Sequence, residues 1–512
     1  MKKYLLFFAF IIAFASCSKN NTGSGNNPTN TITPPTGSTL DLIRDSVYLY
    51  TQEDYYWNDA IPAYATFNPR NISGSSDIIA LDNEVNLLSQ YKINPVTSQP
   101  YEYSASSPGT AKYSFIDGGN VSTILSAVSG DFGFGIFYNT TTDLRIKAVN
   151  PGSPADAAGI KRGYQITAIN GNSNISYDGP TGTNLNFVLN AYSNSNTITL
   201  ALTRPDGTTF TSSLSVATYT HNPVLLAKVL DQGNGKKIGY LVFSQFVSPT
   251  IAKPSLDAAF AAFKSAAITD LVVDLRYNGG GYVETAQYLD NLIAPASTSG
   301  KLMYNTYYNT NLQTAKDPLL KNQIRKDPSG NSFNYSQIDF STANNAVNFG
   351  ATHPLALTNV YFIVTGGTAS ASELTINNLR PYLNVQLLGT TSYGKPVGFF
   401  DIDINKYQLY VPNFETKNAA GGGGYYTGMK PGSTDYPGYY GLDDITKDFG
   451  DPSEKLLANA LSYINSGKFL SSINAVQSLD KTTFSADQQN AVGVALDQNK
   501  FKGMLYKNLK HK

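Results

Sequence analysis

The chain has 512 residues, 41% of them hydrophobic and only 14% charged, enough apolar material for a sizeable core divided over roughly two to four domains. Its 37 Lys and Arg balance its 37 Asp and Glu, so no basic field argues for nucleic acid. His221, His353 and His511 lie far apart and no HExxH or Cys/His cluster occurs, which argues against a zinc site and implies no cofactor. The 35 Tyr and 26 Phe fit a β-rich, surface-exposed protein.

Lys2 and Lys3 precede an apolar run over residues 4–14, and the small Ala15 and Ser16 lead to Cys17, the one cysteine. This is the pattern of a signal peptide, shorter than the about 20 residues a spanning helix needs. Small residues ending in Cys resemble a bacterial lipobox. The resemblance implies that residues 1–17 are a lipoprotein signal and that Cys17 carries a lipid anchor; an ordinary signal peptide cut near Cys17 is the alternative. Residues 18–40 are rich in Asn, Thr, Ser, Gly and Pro and predict a flexible tether. Residues 41–118 predict a small, mostly helical module, with Leu42, Ile43, Val47, Tyr48 and Tyr50 at helical spacing.

Residues 119–218 change character. Gly133-Phe134-Gly135-Ile136 leads into a strand, and Leu144, Ile146 and Ala148 alternate with Arg145 and Lys147. A turn and short helix follow, then a strand ending in Asn170-Gly171, an amphipathic helix carrying Leu185, Val188, Leu189 and Tyr192, and two further strands. This order resembles a PDZ domain, a small β-sandwich or barrel. The resemblance places Gly133, Phe134, Gly135 and Ile136 in the peptide-binding loop, whose backbone N–H groups cradle a C-terminal carboxylate while the peptide adds a strand.

Residues 219–466 alternate strands and helices, which predicts a layered α/β core. Residues 237–246 read as a strand and residues 255–266 as a helix. Leu271-Val272-Val273-Asp274-Leu275-Arg276 reads as a strand running into Tyr277-Asn278-Gly279-Gly280-Gly281, and residues 283–293 as a helix. The apolar run 360–364 meets Thr365-Gly366-Gly367 and then Thr368-Ala369-Ser370-Ala371-Ser372-Glu373, a pattern that lifts a small hydroxyl out of a strand at a helix start. A second run, 385–388, ends in Gly389-Thr390-Thr391-Ser392-Tyr393-Gly394-Lys395. A lysine desolvated in apolar surroundings can serve as the base a serine needs. Residues 301–350 read as polar and irregular, a cap or channel wall. Asp451-Pro452-Ser453-Glu454 reads as an N-cap, a proline at N1 and an acid at N3. Residues 467–512 read as a tail of mixed charge with no assignable chemistry.

The Asp274–Gly281 stretch, the Thr368–Glu373 stretch and Gly394-Lys395, downstream of a PDZ-like segment, resemble the S41 peptidases, the C-terminal processing or tail-specific proteases. The N-terminal module resembles that of Bacteroidetes-type S41 lipoproteins. The resemblance implies a crotonase-like peptidase core, Ser370 rather than Ser372 as nucleophile, and Lys395 as general base. The Ala371 N–H is the implied oxyanion donor, and a second is expected from the Gly279–Gly281 turn, at Gly280. It also implies protein or peptide substrates docked by their C-termini, and an envelope protein anchored to the membrane, expected to be the periplasm-facing outer membrane. One departure stands out: Phe399 occupies the position where many members carry a glutamine that holds the lysine, and Pro396 follows Lys395 directly. A PDZ-based binding lipoprotein with a weak or inactive peptidase domain is therefore the alternative. A glycan-binding lipoprotein has only the tyrosines and the lipobox in its favour.

Overall fold

Leu271 and Val273 face one side of a central sheet and Val272 the other; in the next strand Val360 and Phe362 alternate likewise with Tyr361 and Ile363. That period of two, apolar on both faces, is what a strand buried between two helical layers requires. The computed structural model describes residues 36–119, 121, 125, 128–233, 235–327, 329–470, 484–496, 503–507 and 509–512. Residues 1–35, which hold the expected signal peptide, Cys17 and most of the expected tether, lie outside the described residues.

The central sheet has six strands in the order Gly438–Tyr440, Asn384–Gly389, Asn359–Val364, Asp270–Asp274, Lys237–Phe243 and Val224–Asp231. All neighbours are parallel except the last pair. Helices Pro249–Ala266, Val283–Ile293 and Ala371–Leu379 bury Leu256, Phe260, Leu289, Leu374 and Ile376 against one face. Helix Lys455–Ser466 covers the other with Leu456, Leu457 and Leu461. The expected layered α/β core is therefore present.

The N-terminal helices Thr39–Asp54 and Asp77–Ser89 join the same core through Val47, Tyr48, Leu81 and Val85. Strand Phe115–Asp117 pairs with Tyr407–Tyr410 and so ties this module to the central domain. Residues 134–215 form a separate five-stranded antiparallel sheet with its own core, including Ile146, Leu185 and Leu200. Strand Phe134–Thr140 lies at its edge.

Three local expectations are corrected. The helix expected over 255–266 begins at Pro249, with Pro254 inside it. Burial of Ala252, Leu256, Ala259, Phe260 and Phe263 outweighs the one backbone bond a proline removes. Asp451 is not the N-cap of the last core helix: Glu454 is, its side chain accepting from Leu457 N–H at 2.9 Å. Residues 301–350 are not irregular throughout, because Leu302–Tyr308 is a strand between Ala346–Asn348 and Phe414–Asn418.

Candidate active site

Strand Asn359–Val364 runs out of the sheet into a turn closed by Thr368, whose Oγ1 accepts from Thr365 N–H at 3.0 Å and donates to Leu275 O at 2.8 Å. Ala369 N–H then donates to Asn278 O at 3.0 Å, fastening the turn to the neighbouring Tyr277–Gly281 loop. Ser370 follows in a left-handed conformation, φ 60° and ψ −108°, at the N-cap of helix Ala371–Leu379. Such a conformation costs a non-glycine residue about 1–3 kcal/mol and persists only where the surroundings enforce it. The Ser370 side chain is fully buried and its Oγ has no hydrogen-bond partner among the described residues.

Strand Asn384–Gly389 runs parallel to the first and delivers a second turn to the same place. Tyr393 N–H donates to Thr368 O at 2.9 Å. Gly394 has φ +83°, and a Cβ there would stand 2.5 Å from both Gly428 N and Tyr426 O, so the close approach admits only glycine. Lys395 is fully buried. Its Nζ sits 3.9 Å from the centroid of the Phe399 ring and 5.5 Å from that of Tyr113. Two aromatic rings thus border the amine, one of them the Phe399 that stands out in the sequence.

Glu373 joins the two turns. Its Oε2 accepts from Ser370 N–H and from Lys395 N–H, each at 2.8 Å, while Oε1 accepts from Gly394 N–H at 2.7 Å and from the Ser392 hydroxyl. Burial pushes this carboxyl up, and these four donors act against that rise by favouring the ionised form. From sequence, Glu373 reads as a first-turn acid complementing the helix dipole; in the fold it sets the separation of serine and lysine backbones. Met429 N–H donates to Ser392 Oγ at 2.8 Å, which brings the 425–431 loop to the site.

Residues 237–431 match the model of peptidase family S41. These residues form an S41 peptidase domain. A carboxyl-terminal-processing protease from a Picosynechococcus species is 25% identical over 282 residues, covering 52% of this chain and 56% of that protein. The match thus spans little more than half of that relative's length. The crystal structure of a candidate S41 protease from Bacteroides fragilis superposes with a TM-score of 0.52 at 22% identity, over 82% of this chain and 97% of that one. At that identity the likeness concerns the fold.

Within the S41 domain the glycine turn lies directly against the serine turn. A Cβ on Gly280 would stand 2.9 Å from both Ala369 O and Ala371 N. The first N–H groups of a helix have no intrahelical acceptor, and Ala371 is the first residue of its helix. Gly280 N–H, however, donates to Asn278 Oδ1 at 2.9 Å. The Asn278 side chain folds back on its own turn and takes the donor that the sequence reading assigned to an oxyanion. Ser372 Oγ donates to Asn278 O at 3.0 Å, so this hydroxyl braces the two turns.

Sequence patterns miss two sets of residues around the S41 site. Lys112 Nζ donates to Gly394 O at 3.2 Å and Tyr426 O at 2.9 Å, and Tyr113 OH also donates to Gly394 O. Burial lowers Lys112 to about 8, against the pull of Glu373 and Glu102. Behind the glycine turn, Arg276 binds Asp274, Asp443 and Glu454, and Arg162 binds Asp443 and the Tyr277 hydroxyl. The five charged side chains are buried and Tyr277 is half-buried, and Arg162 comes from the five-stranded sheet region. The four residues Gly133, Phe134, Gly135 and Ile136 also lie in that region, away from Ser370 in the chain and in a core of their own. Gly133 takes φ +82°, with its O accepting from Asn150 N–H at 2.8 Å, and Phe134 to Ile136 pair with the strand Asp143–Val149.

Helix Val283–Ile293 packs on helix Ala371–Leu379, and Asn378 Nδ2 donates to Asp290 Oδ2 at 2.8 Å. Burial raises Asp290 to about 8, with the Asn378 hydrogen bond opposing it. An acid raised in the folded state stabilises it fully below the unfolded value, near 3.8. That contribution is lost as pH rises toward 8. Asp290→Asn is therefore expected to unfold at a higher temperature than the parent above pH 8, with the gap closing as pH falls toward 4. Thermal unfolding across that range checks it, and a gap that does not narrow at low pH contradicts the assignment.

Proposed function

We propose that the chain is a serine endopeptidase with Ser370 as nucleophile and Lys395 as general base. The observation that carries this reading is the single carboxylate oxygen, Glu373 Oε2, that accepts from the backbone N–H of both residues. In the reaction Ser370 Oγ gives its proton to neutral Lys395 Nζ and bonds to the substrate carbonyl carbon. The resulting oxyanion is met by the Ala371 N–H at the positive end of a helix. The lysine ammonium then protonates the departing amine as the C–N bond breaks, leaving an acyl group on Ser370. Water, deprotonated by the same lysine, releases it.

The edge position of strand Phe134–Thr140 supports docking of a peptide terminus along Gly133 to Ile136 by strand addition. Cys17 would tether the enzyme by a lipid to the envelope, on the periplasmic face of the outer membrane. A second reading, a binding protein without turnover, draws on Phe399: an aromatic face attracts an ammonium, and a protonated amine cannot accept the serine proton.

Ser370→Ala separates the two. The variant is expected to retain the parent's circular dichroism and melting temperature and to lose cleavage of an unfolded protein substrate by about a thousandfold or more. Equal cleavage by parent and variant would refute the nucleophile, and a folded parent that cleaves nothing would favour the binding protein.

A further inference from the structure

Strand Gly280–Tyr282, the continuation of the glycine turn beside Ser370, does not belong to the central sheet. It pairs in parallel with Gly503–Leu505, a segment more than two hundred residues away in sequence. Gly503 N–H donates to Gly279 O at 3.0 Å. On its other side the same segment meets the lysine's aromatic partner: Phe399 N–H donates to Met504 O at 2.8 Å, and Tyr506 N–H donates to Phe399 O at 3.0 Å. The segment therefore runs as an extended strand between the turn that abuts the nucleophile and the residue that flanks Lys395.

Its register is informative. The point where a Gly280 Cβ would stand is 2.5 Å from Gly503 O and 2.9 Å from Ala371 N. A carbonyl of the segment and the donor assigned to the oxyanion thus border the same point. Met504, Leu505 and Tyr506 are 0%, 2% and 4% exposed, so the side-chain seats along this strand are filled. Further on, Lys507 Nζ pairs with Asp401 Oδ1 at 2.6 Å, and Asp339 N–H donates to Lys510 O at 2.8 Å. Upstream, helix Ala486–Leu496 contributes Val492 and Leu496 to the core of the five-stranded sheet, with Gly493 set against Phe137 of its edge strand.

We propose that residues 503–506 occupy the seat of the substrate strand, so that the chain closes its own active site with an internal ligand. This rests on the peptidase reading above. It also names the substrate class: an extended segment that reads small, apolar, apolar, aromatic, held by backbone bonds to Gly279 and Phe399. An extended peptide bound in isolation with a dissociation constant of about 10–100 μM, presented by its own chain at about millimolar effective concentration, leaves roughly 1–10% of sites open. Release then raises turnover about 10- to 100-fold.

The test uses the full chain carrying Met504→Asp and Leu505→Asp, which puts two charges into apolar seats. It is expected to cleave an unfolded protein at least about tenfold faster than the parent, and a synthetic peptide of residues 503–512 is expected to return the rate to the parent's. A folded variant with the parent's rate overturns the proposal. Lys507→Asp, at an exposed fastening, covers the case where the double variant does not fold: it should give a smaller rise, and no rise overturns the proposal. A binding arm is independent of catalysis. With Ser370→Ala added to the double variant, fluorescein-labelled 503–512 peptide is expected to raise anisotropy on binding, and not to bind the single Ser370→Ala chain. Binding without any cleavage by any chain would sink the peptidase reading and keep the seat; no binding to the folded opened variant would sink the seat alone.

Discussion

Lys395→Met is expected to lower peptide-bond cleavage by about 10³-fold or more while leaving the fold in place. Removing a general base from an activated nucleophile takes away the group that makes a hydroxyl reactive at neutral pH, and effects of this size follow. Methionine suits the site. It fills nearly the same buried volume, and its thioether makes favourable contacts with aromatic rings, which here are Phe399 and Tyr113. The Lys395 N–H bond to Glu373 belongs to the backbone and survives the substitution. Circular dichroism and thermal unfolding beside the rate assay separate lost chemistry from lost structure. A folded Lys395→Met chain that cleaves at the parental rate would remove Lys395 from the mechanism.

Arg276→Met is expected to be the most damaging substitution for stability, costing about 3–5 kcal/mol. Arg276 is fully buried and bonded to Asp274, Asp443 and Glu454. Removing it leaves three buried carboxylates, with Arg162 the other arginine bonded to this group, through Asp443. Burial pushes Asp443 up, but Arg162 and Arg276 together outweigh it and hold the group at about 2, below its ordinary 3.8. A depressed acid contributes stability that is present above its unfolded value and lost as pH falls through the folded one. Parent stability should therefore decline between about pH 4 and pH 2, and part of that decline should vanish in Asp443→Asn. Because Tyr277 takes φ +72° between this network and the glycine turn, the damage should reach the active site. Urea unfolding of parent and variant measures the first effect, and a loss under 1 kcal/mol would contradict it.

The hydroxyl and the amine are legible in the sequence because each ends a run of apolar residues at a glycine turn, and adjacent parallel strands deliver both to one edge of the sheet. The layered core is legible for the same reason: Leu271 to Val273 and Val360 to Val364 are apolar throughout, as doubly covered strands must be. What a linear pattern hides is pairing across distance. Glu373 looks like an ordinary first-turn acid until Gly394 and Lys395 return to it. Arg276 looks like the end of a strand until Asp443 and Glu454 arrive from more than a hundred and fifty residues away. Gly280 lies beside Ala371, but its N–H turns to Asn278, a choice made by one side-chain rotamer that no spacing rule encodes. Residues 503–506 carry too short an apolar word to signal a strand; they become one only against the glycine turn and Phe399.

The most direct measurement of the account is the site of the covalent intermediate. The chain is mixed with an unfolded protein substrate, quenched in acid during turnover and mapped by peptide mass spectrometry. An acyl adduct on the peptide containing Ser370, absent from Ser370→Ala, is the predicted result. Substrate cleavage accompanied by an adduct on another residue, or undiminished cleavage by Ser370→Ala, would contradict it.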